Sequence, residues 1–123
     1  MHRHYLRTAI GLAVLSLGIS VANAHGALEK SVPAQDAAVS GEVKEIRLDF
    51  SEAVVAKLSG VELKDQAGKT VTTGTAANDP KNKKQLIVPL AAPLQAGTYT
   101  VNWHAVSDDT HRVKGSYSFK VKP

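Results

Sequence analysis

Three residues have the side chains and positions to hold a metal ion together: His25, Asp109 and His111. Asp109-Thr110-His111 sets a carboxylate and an imidazole at i and i+2, which project to the same side of an extended backbone. The pair falls just beyond a strand pattern ending near Val106, in a connection of the kind that carries sites when rigid strands flank it. His25 gains its interest from what precedes it. Arg3 and Arg7 without any acid, an apolar stretch over 9–21, and Ala22-Asn23-Ala24 form the three-part pattern of a secretory signal and its cleavage site. The apolar stretch falls short of the ~20 residues that a membrane-spanning helix needs. Residues 1–24 therefore read as a signal peptide, and His25 becomes the first residue of the mature chain.

An N-terminal histidine offers two nitrogens, its amine and its imidazole Nδ1, which close one chelate ring on one ion. With His111 the donors become three nitrogens, and Asp109 adds an anionic oxygen. That set in a tetragonal arrangement suits Cu(II), the strongest binder among divalent first-row ions, and one ion per chain is expected. The amine, ordinarily at ~7.7 to 8.0, must lose its proton, so binding should weaken as pH falls. Cysteine is absent and the only methionine is Met1, which leaves with the signal, so soft thiolate and thioether ligands and a nucleophilic thiol are all missing. The residue types alone also allow a plainer role, His111 as a surface loop residue and Asp109 as a turn former or cap. Asp108 is an alternative carboxylate that the i, i+2 spacing disfavours, and Glu29 has only its nearness to the terminus in its favour.

Residues 25–123 amount to one small domain with a modest core. Arg3 and Arg7 depart with the signal, so 13 of the 15 Lys and Arg remain against 11 Asp and Glu, a formal charge of +2 in place of +4. Without a long basic run interleaved with aromatics, nucleic acid is not an expected partner. Lys81-Asn82-Lys83-Lys84 beside Asp79-Pro80 reads as a solvated loop. An exported chain without disulfides must stand on packing alone.

The elements that position the candidate ligands are short strands. Ile46, Leu48 and Phe50 alternate with polar residues, as do Val61 and Leu63, and Tyr117, Phe119 and Val121. Leu86, Ile87 and Val88 make a strand closed by Pro89 and Pro93, and the Thr-rich stretch 69–73 suits an edge strand. Over 98–106, Tyr99, Val101, Trp103 and Ala105 share one face, with Trp103 as a core residue between sheets and His104 facing solvent on the other side. No helical stripe runs for three turns, and 53–58 could form one turn at most. Six or seven short strands predict an all-β antiparallel sandwich with Greek-key links.

The run Trp103-His104-Ala105-Val106-Ser107-Asp108-Asp109-Thr110-His111, followed by Gly115 and Tyr117-Ser118-Phe119-Lys120-Val121, resembles the C-terminal signature of the CopC copper-resistance family. His25, Ala27-Leu28 and Ser31-Val32-Pro33-Ala34 are similar to that family's opening, and Leu48-Asp49-Phe50-Ser51-Glu52 to its first core strand. The resemblance implies a cupredoxin-like β-sandwich that carries periplasmic copper, with His25, Asp109 and His111 as the Cu(II) ligands. It also implies a place for Glu52 beside the site, behind the ligands or as an occasional one. Some members of the family bind Cu(I) through a loop rich in Met and His. The stretch 60–93 here contains neither, so this chain resembles the Cu(II)-only kind.

The resemblance implies a periplasmic copper carrier or buffer, not an enzyme, handing Cu(II) to an inner-membrane importer of the CopD type. The mature domain is not expected to insert into the membrane. Two other readings compete. A copper oxygenase would also use an N-terminal histidine and a second histidine, but the chain is small and poor in aromatics for a flat polysaccharide. A metal-free envelope β-sandwich would make His25 accidental.

Overall fold

The computed structural model describes residues 27–123, and its elements follow from the alternation in the sequence. They are β1 (Leu28–Val32), β2 (Ala38–Val39), β3 (Glu45–Phe50), a 3-10 turn at Ala56–Leu58, β4 (Gly60–Lys64), β5 (Thr70–Val71), β6 (Ala77–Asp79), β7 (Asn82–Pro89), β8 (Gly97–Val106) and β9 (Arg112–Val121). Two sheets form, in the orders β1-β3-β7-β6 and β2-β9-β8-β4-β5. The all-β sandwich expected from the sequence is the one observed, antiparallel except for the short parallel pair β2–β9.

Ile46, Leu48 and Phe50 turn inward from β3 while Glu45, Arg47 and Asp49 stay nearer solvent. From the facing sheet come Leu63, Tyr99, Val101, Ala105, Tyr117, Phe119 and Val121, and Leu86 and Val88 join from β7. This is the alternation expected where each sheet buries one face against the other. β5 is an edge strand, as the Thr-rich stretch predicted. The 53–58 segment does make one turn, of 3-10 type.

Three features depart from expectation. β1 pairs with β3 although Leu-Glu-Lys-Ser-Val lacks an apolar alternation. As an edge strand it buries Ser31, so no hydrophobic period marks it. Lys83 and Lys84 are part of β7 and not of a loop, although both are exposed. Trp103 is half-buried at the rim of the core, edge-on to Phe50 at 5.5 Å between ring centroids and 68° between planes.

Tyr117 carries a pH-dependent liability. Burial pushes its hydroxyl up to about 12, moderated by the nearby Ser31 hydroxyl, and it finds no partner of hydrogen-bonding geometry among the described residues. An unfolded tyrosine ionises near ~10. Between those values the unfolded chain sheds the proton first. Stability is thus full below pH ~10 and falls by on the order of 2 kcal/mol by pH 12. Replacing Tyr117 with Phe is expected to be neutral or stabilising at pH 7, since it removes an unsatisfied buried group, and to flatten the alkaline decline. Urea unfolding at pH 7 and pH 11 checks both.

Candidate metal centre

β8 and β9 form the longest ladder of the fold, paired from Gly97↔Val121 to Val106↔Arg112. Its end is closed by residues 107–111. The Thr110 N–H donates to the Ser107 carbonyl at 2.8 Å, and the Ser107 N–H to the His111 carbonyl at 3.0 Å. Thr110 sits at φ +70°, in the left-handed region. This is a three-residue hairpin loop ending in a left-handed residue, not the extended stretch that the i, i+2 spacing assumed. A β-branched threonine is a poor choice for positive φ, so its identity gave no hint of the turn.

The side chains meet nonetheless. His111 Nδ1 lies 3.0 Å from Asp109 Oδ1. The Ser107 hydroxyl donates to the same Asp109 oxygen and has the His111 carbonyl 3.3 Å away, and the His111 N–H approaches Asp109 Oδ1 at 3.4 Å. These contacts, led by the Ser107 hydroxyl and then the His111 side chain, hold the Asp109 carboxyl down at about 2. The carboxylate is therefore ionised across the physiological range. Two donors at about 2 Å from a divalent first-row ion on neighbouring corners sit about 3 Å apart, so the observed pair has the separation such an ion needs, once the shared proton leaves and the ring turns its lone pair from the carboxylate to the ion.

Ser107 was given no role in the sequence analysis. It is 1 % exposed, and a buried serine two residues before a loop aspartate was the available signal. Replacing Ser107 with Ala is expected to let the Asp109 carboxyl rise from about 2 toward the ordinary 3.8 and to free its side chain, weakening metal binding. A carbon-13 NMR titration of the Asp109 carboxyl reads the shift directly, and an unmoved value would exclude the Ser107 bond as its cause.

A second strand of contacts brings other parts of the chain to this end. The Asp108 N–H donates to the Ala53 carbonyl at 3.1 Å and the Val55 N–H to the Val106 carbonyl at 2.8 Å, so the 53–55 segment straps the loop. Ala27 is fastened to that strap's base: its N–H reaches Ser51 Oγ at 3.0 Å, and the Ser51 N–H returns to its carbonyl at 2.9 Å. Glu52 lies between Ser51 and Ala53 and is half-buried. His25 lies outside the described residues; two residues of chain span at most about 7 Å beyond Ala27. Among the described residues no three His, Asp or Glu side chains are close enough to hold an ion, so the pair Asp109–His111 is what the described part contributes. His104 is exposed on the opposite side of β8 from Trp103, as the alternation predicted.

The family model for the CopC domain matches residues 28–122. This chain belongs to the CopC family. It is 41% identical over 117 residues to protein YobA of Escherichia coli strain K12, covering 95% of this chain and 94% of that one. It is 39% identical over 125 residues to copper resistance protein C of Escherichia coli, covering 95% and 98%. Its fold is similar to the crystal structure of PcoC, described as a methionine-rich copper resistance protein from Escherichia coli, with a TM-score of 0.71 at 38% identity over 80% of this chain and 100% of that one. Copper resistance protein C and PcoC are named for copper resistance and not for a catalysed reaction, in keeping with a non-enzymatic protein.

Proposed function

We propose that this CopC-family protein binds one Cu(II) ion per chain and acts as a periplasmic copper carrier or buffer. Residues 1–24 would be its cleaved signal, and residues 25–123 its copper-binding domain. The ligands would be His25, through both its amine and its ring, with Asp109 and His111, and Glu52 would stand beside them. The observation that carries the reading is the Asp109–His111 pair, 3.0 Å apart on a strapped hairpin end to which Ala27, two residues from His25, is tied. Copper is cargo here. Four protein donors on a Cu(II) ion leave little room for a substrate, which favours transfer over catalysis, and an inner-membrane importer of the CopD type is the receiver we favour.

Electron paramagnetic resonance of the exported protein loaded with one equivalent of Cu(II) tests the ligand set. Coupling to three nitrogens is expected, and one or two would remove His25 or His111 from it. The Cu(II)-only character rests on the lack of Met, His and Cys over 60–93, in contrast to the relative described as methionine-rich. Titration with Cu(I) against a chromophoric chelator should accordingly show no tight site.

On acidification copper should leave as the nitrogen donors take up protons, well before Asp109, which stays ionised until about pH 2. Following the Cu(II) absorption from pH 8 to pH 3 checks this, and copper still fully bound at pH 3 would assign control to the carboxylate instead.

A further inference from the structure

We propose that the groove beside the metal-binding loop docks a partner protein that presents an apolar side chain flanked by carboxylates. The groove holds about 320 Å³ and is lined by Leu58, His104, Val106, Arg112, Val113 and Lys114 among others. Leu58 is 55 % exposed, more than any other large hydrophobic side chain among the described residues. It is not a loose side chain on a floppy loop. The Ser59 hydroxyl donates to the Val55 carbonyl at 2.8 Å and accepts from the Val106 N–H at 3.0 Å, clamping the 3-10 turn onto β8. An exposed leucine on a fixed backbone costs less ordering entropy when a partner covers it than one on a mobile loop.

The rim supplies the charge. Arg112 and Lys114 are exposed on β9, Lys114 lies directly across from His104, and Lys57 is exposed beside Leu58. No Asp or Glu lines the groove. On the other flank of the 53–55 strap, where the Val54 N–H bonds the Lys83 carbonyl at 3.0 Å, the exposed Lys81, Lys83 and Lys84 extend the same sign of field. Residues 25–123 are only slightly basic, and although Asp108 and Asp109 stand on the neighbouring loop, the groove's own rim carries cations alone. An acidic partner would be steered to it and held in register by the apolar contact. A concave groove with one projecting leucine suits a protein side chain better than a bilayer, which calls for a broad apolar face.

The groove begins one residue beyond His111, so a partner seated there would stand next to the loop that carries Asp109 and His111. What passes across the contact rests on the copper reading; the contact itself does not, and it is tested without copper. Nitrogen-15-labelled exported protein, stripped of metal with a chelator, is titrated with an acetylated Glu-Asp-Leu-Leu-Asp-Glu peptide amide. Saturable amide shifts should be confined to Leu58, His104, Ala105, Val106 and Arg112 to Lys114. The double variant Arg112→Glu/Lys114→Glu and the single variant Leu58→Ser should each weaken binding about tenfold or more, with added salt weakening it further. All three positions are exposed, and unchanged amide dispersion confirms that the variants fold. Equal binding of a peptide with serine in place of leucine, or shifts centred on Lys81 to Lys84 alone, would overturn the proposal. So would loss of peptide binding together with Arg112-dependent sedimentation on phosphatidylglycerol-containing vesicles, which would assign the surface to a membrane.

Discussion

One alanine added ahead of His25 is expected to lower Cu(II) affinity by at least about a hundredfold while leaving the unfolding midpoint of the metal-free protein unchanged. Loss of groups that merely orient a ligand already costs 10- to 100-fold in other metal sites. Here the extension separates the amine from the imidazole Nδ1 and breaks the chelate ring that makes the terminus a two-nitrogen donor. His111→Ala should have an effect of similar size, because it removes the partner that lies 3.0 Å from Asp109. The His111 change does not touch the core, since that side chain is exposed at the end of a hairpin. Competition titration against a Cu(II) chelator of known affinity measures both. Equal affinity of the extended and native proteins would remove the terminal amine from the site, and with it the link between signal cleavage and copper binding.

The largest expected loss of stability lies at Gly115. It faces Trp103 across the β8–β9 ladder, and a Cβ there would meet the indole at 2.5 Å from Cζ2 and 2.7 Å from Cε2. The indole also packs edge-on against Phe50, itself 1 % exposed, and that contact would be disturbed if the ring moved aside. Overpacking of this kind costs about 1–3 kcal/mol even for a single added carbon. Gly115→Ala should therefore lower the melting midpoint by roughly 10 °C in a domain of this size, and Gly115→Val by more. Combining Gly115→Ala with Trp103→Leu should recover part of the loss, as expected when two substitutions share one clash. A Gly115→Ala protein that melts within about 2 °C of the native one would mean that the indole is free to move. The same ladder carries the 107–111 loop, so the less stable variants should also release copper at lower temperature.

Period-two alternation made most of the sandwich legible. Ile46, Leu48 and Phe50, and Tyr117, Phe119 and Val121, announce strands with one buried face, and the structure buries those same side chains. β1 was not legible, because an edge strand that buries a serine has no apolar period to read. Trp103 was legible as apolar but not as a rim residue, since alternation names the face and not the depth.

The candidate ligands divide in the same way. By residue type and spacing alone, the sequence determined that a chain without thiols could offer Asp109 and His111 together, and it is the ground for proposing His25, freed by signal cleavage, as their companion. It could not determine how they meet. The spacing argument assumed extended backbone; the fold uses a left-handed Thr110, and only the hydrogen bonds that close the hairpin make that conformation worth its strain. The Ser107 hydroxyl on Asp109 is a local bond set by that hairpin, whereas the 53–55 strap, the Ala27 anchor and the clamp that holds Leu58 outward join residues far apart in sequence. Local propensity reports which groups a chain carries and which face they take. Contacts between distant segments, which no local pattern encodes, decide which of those groups share a site.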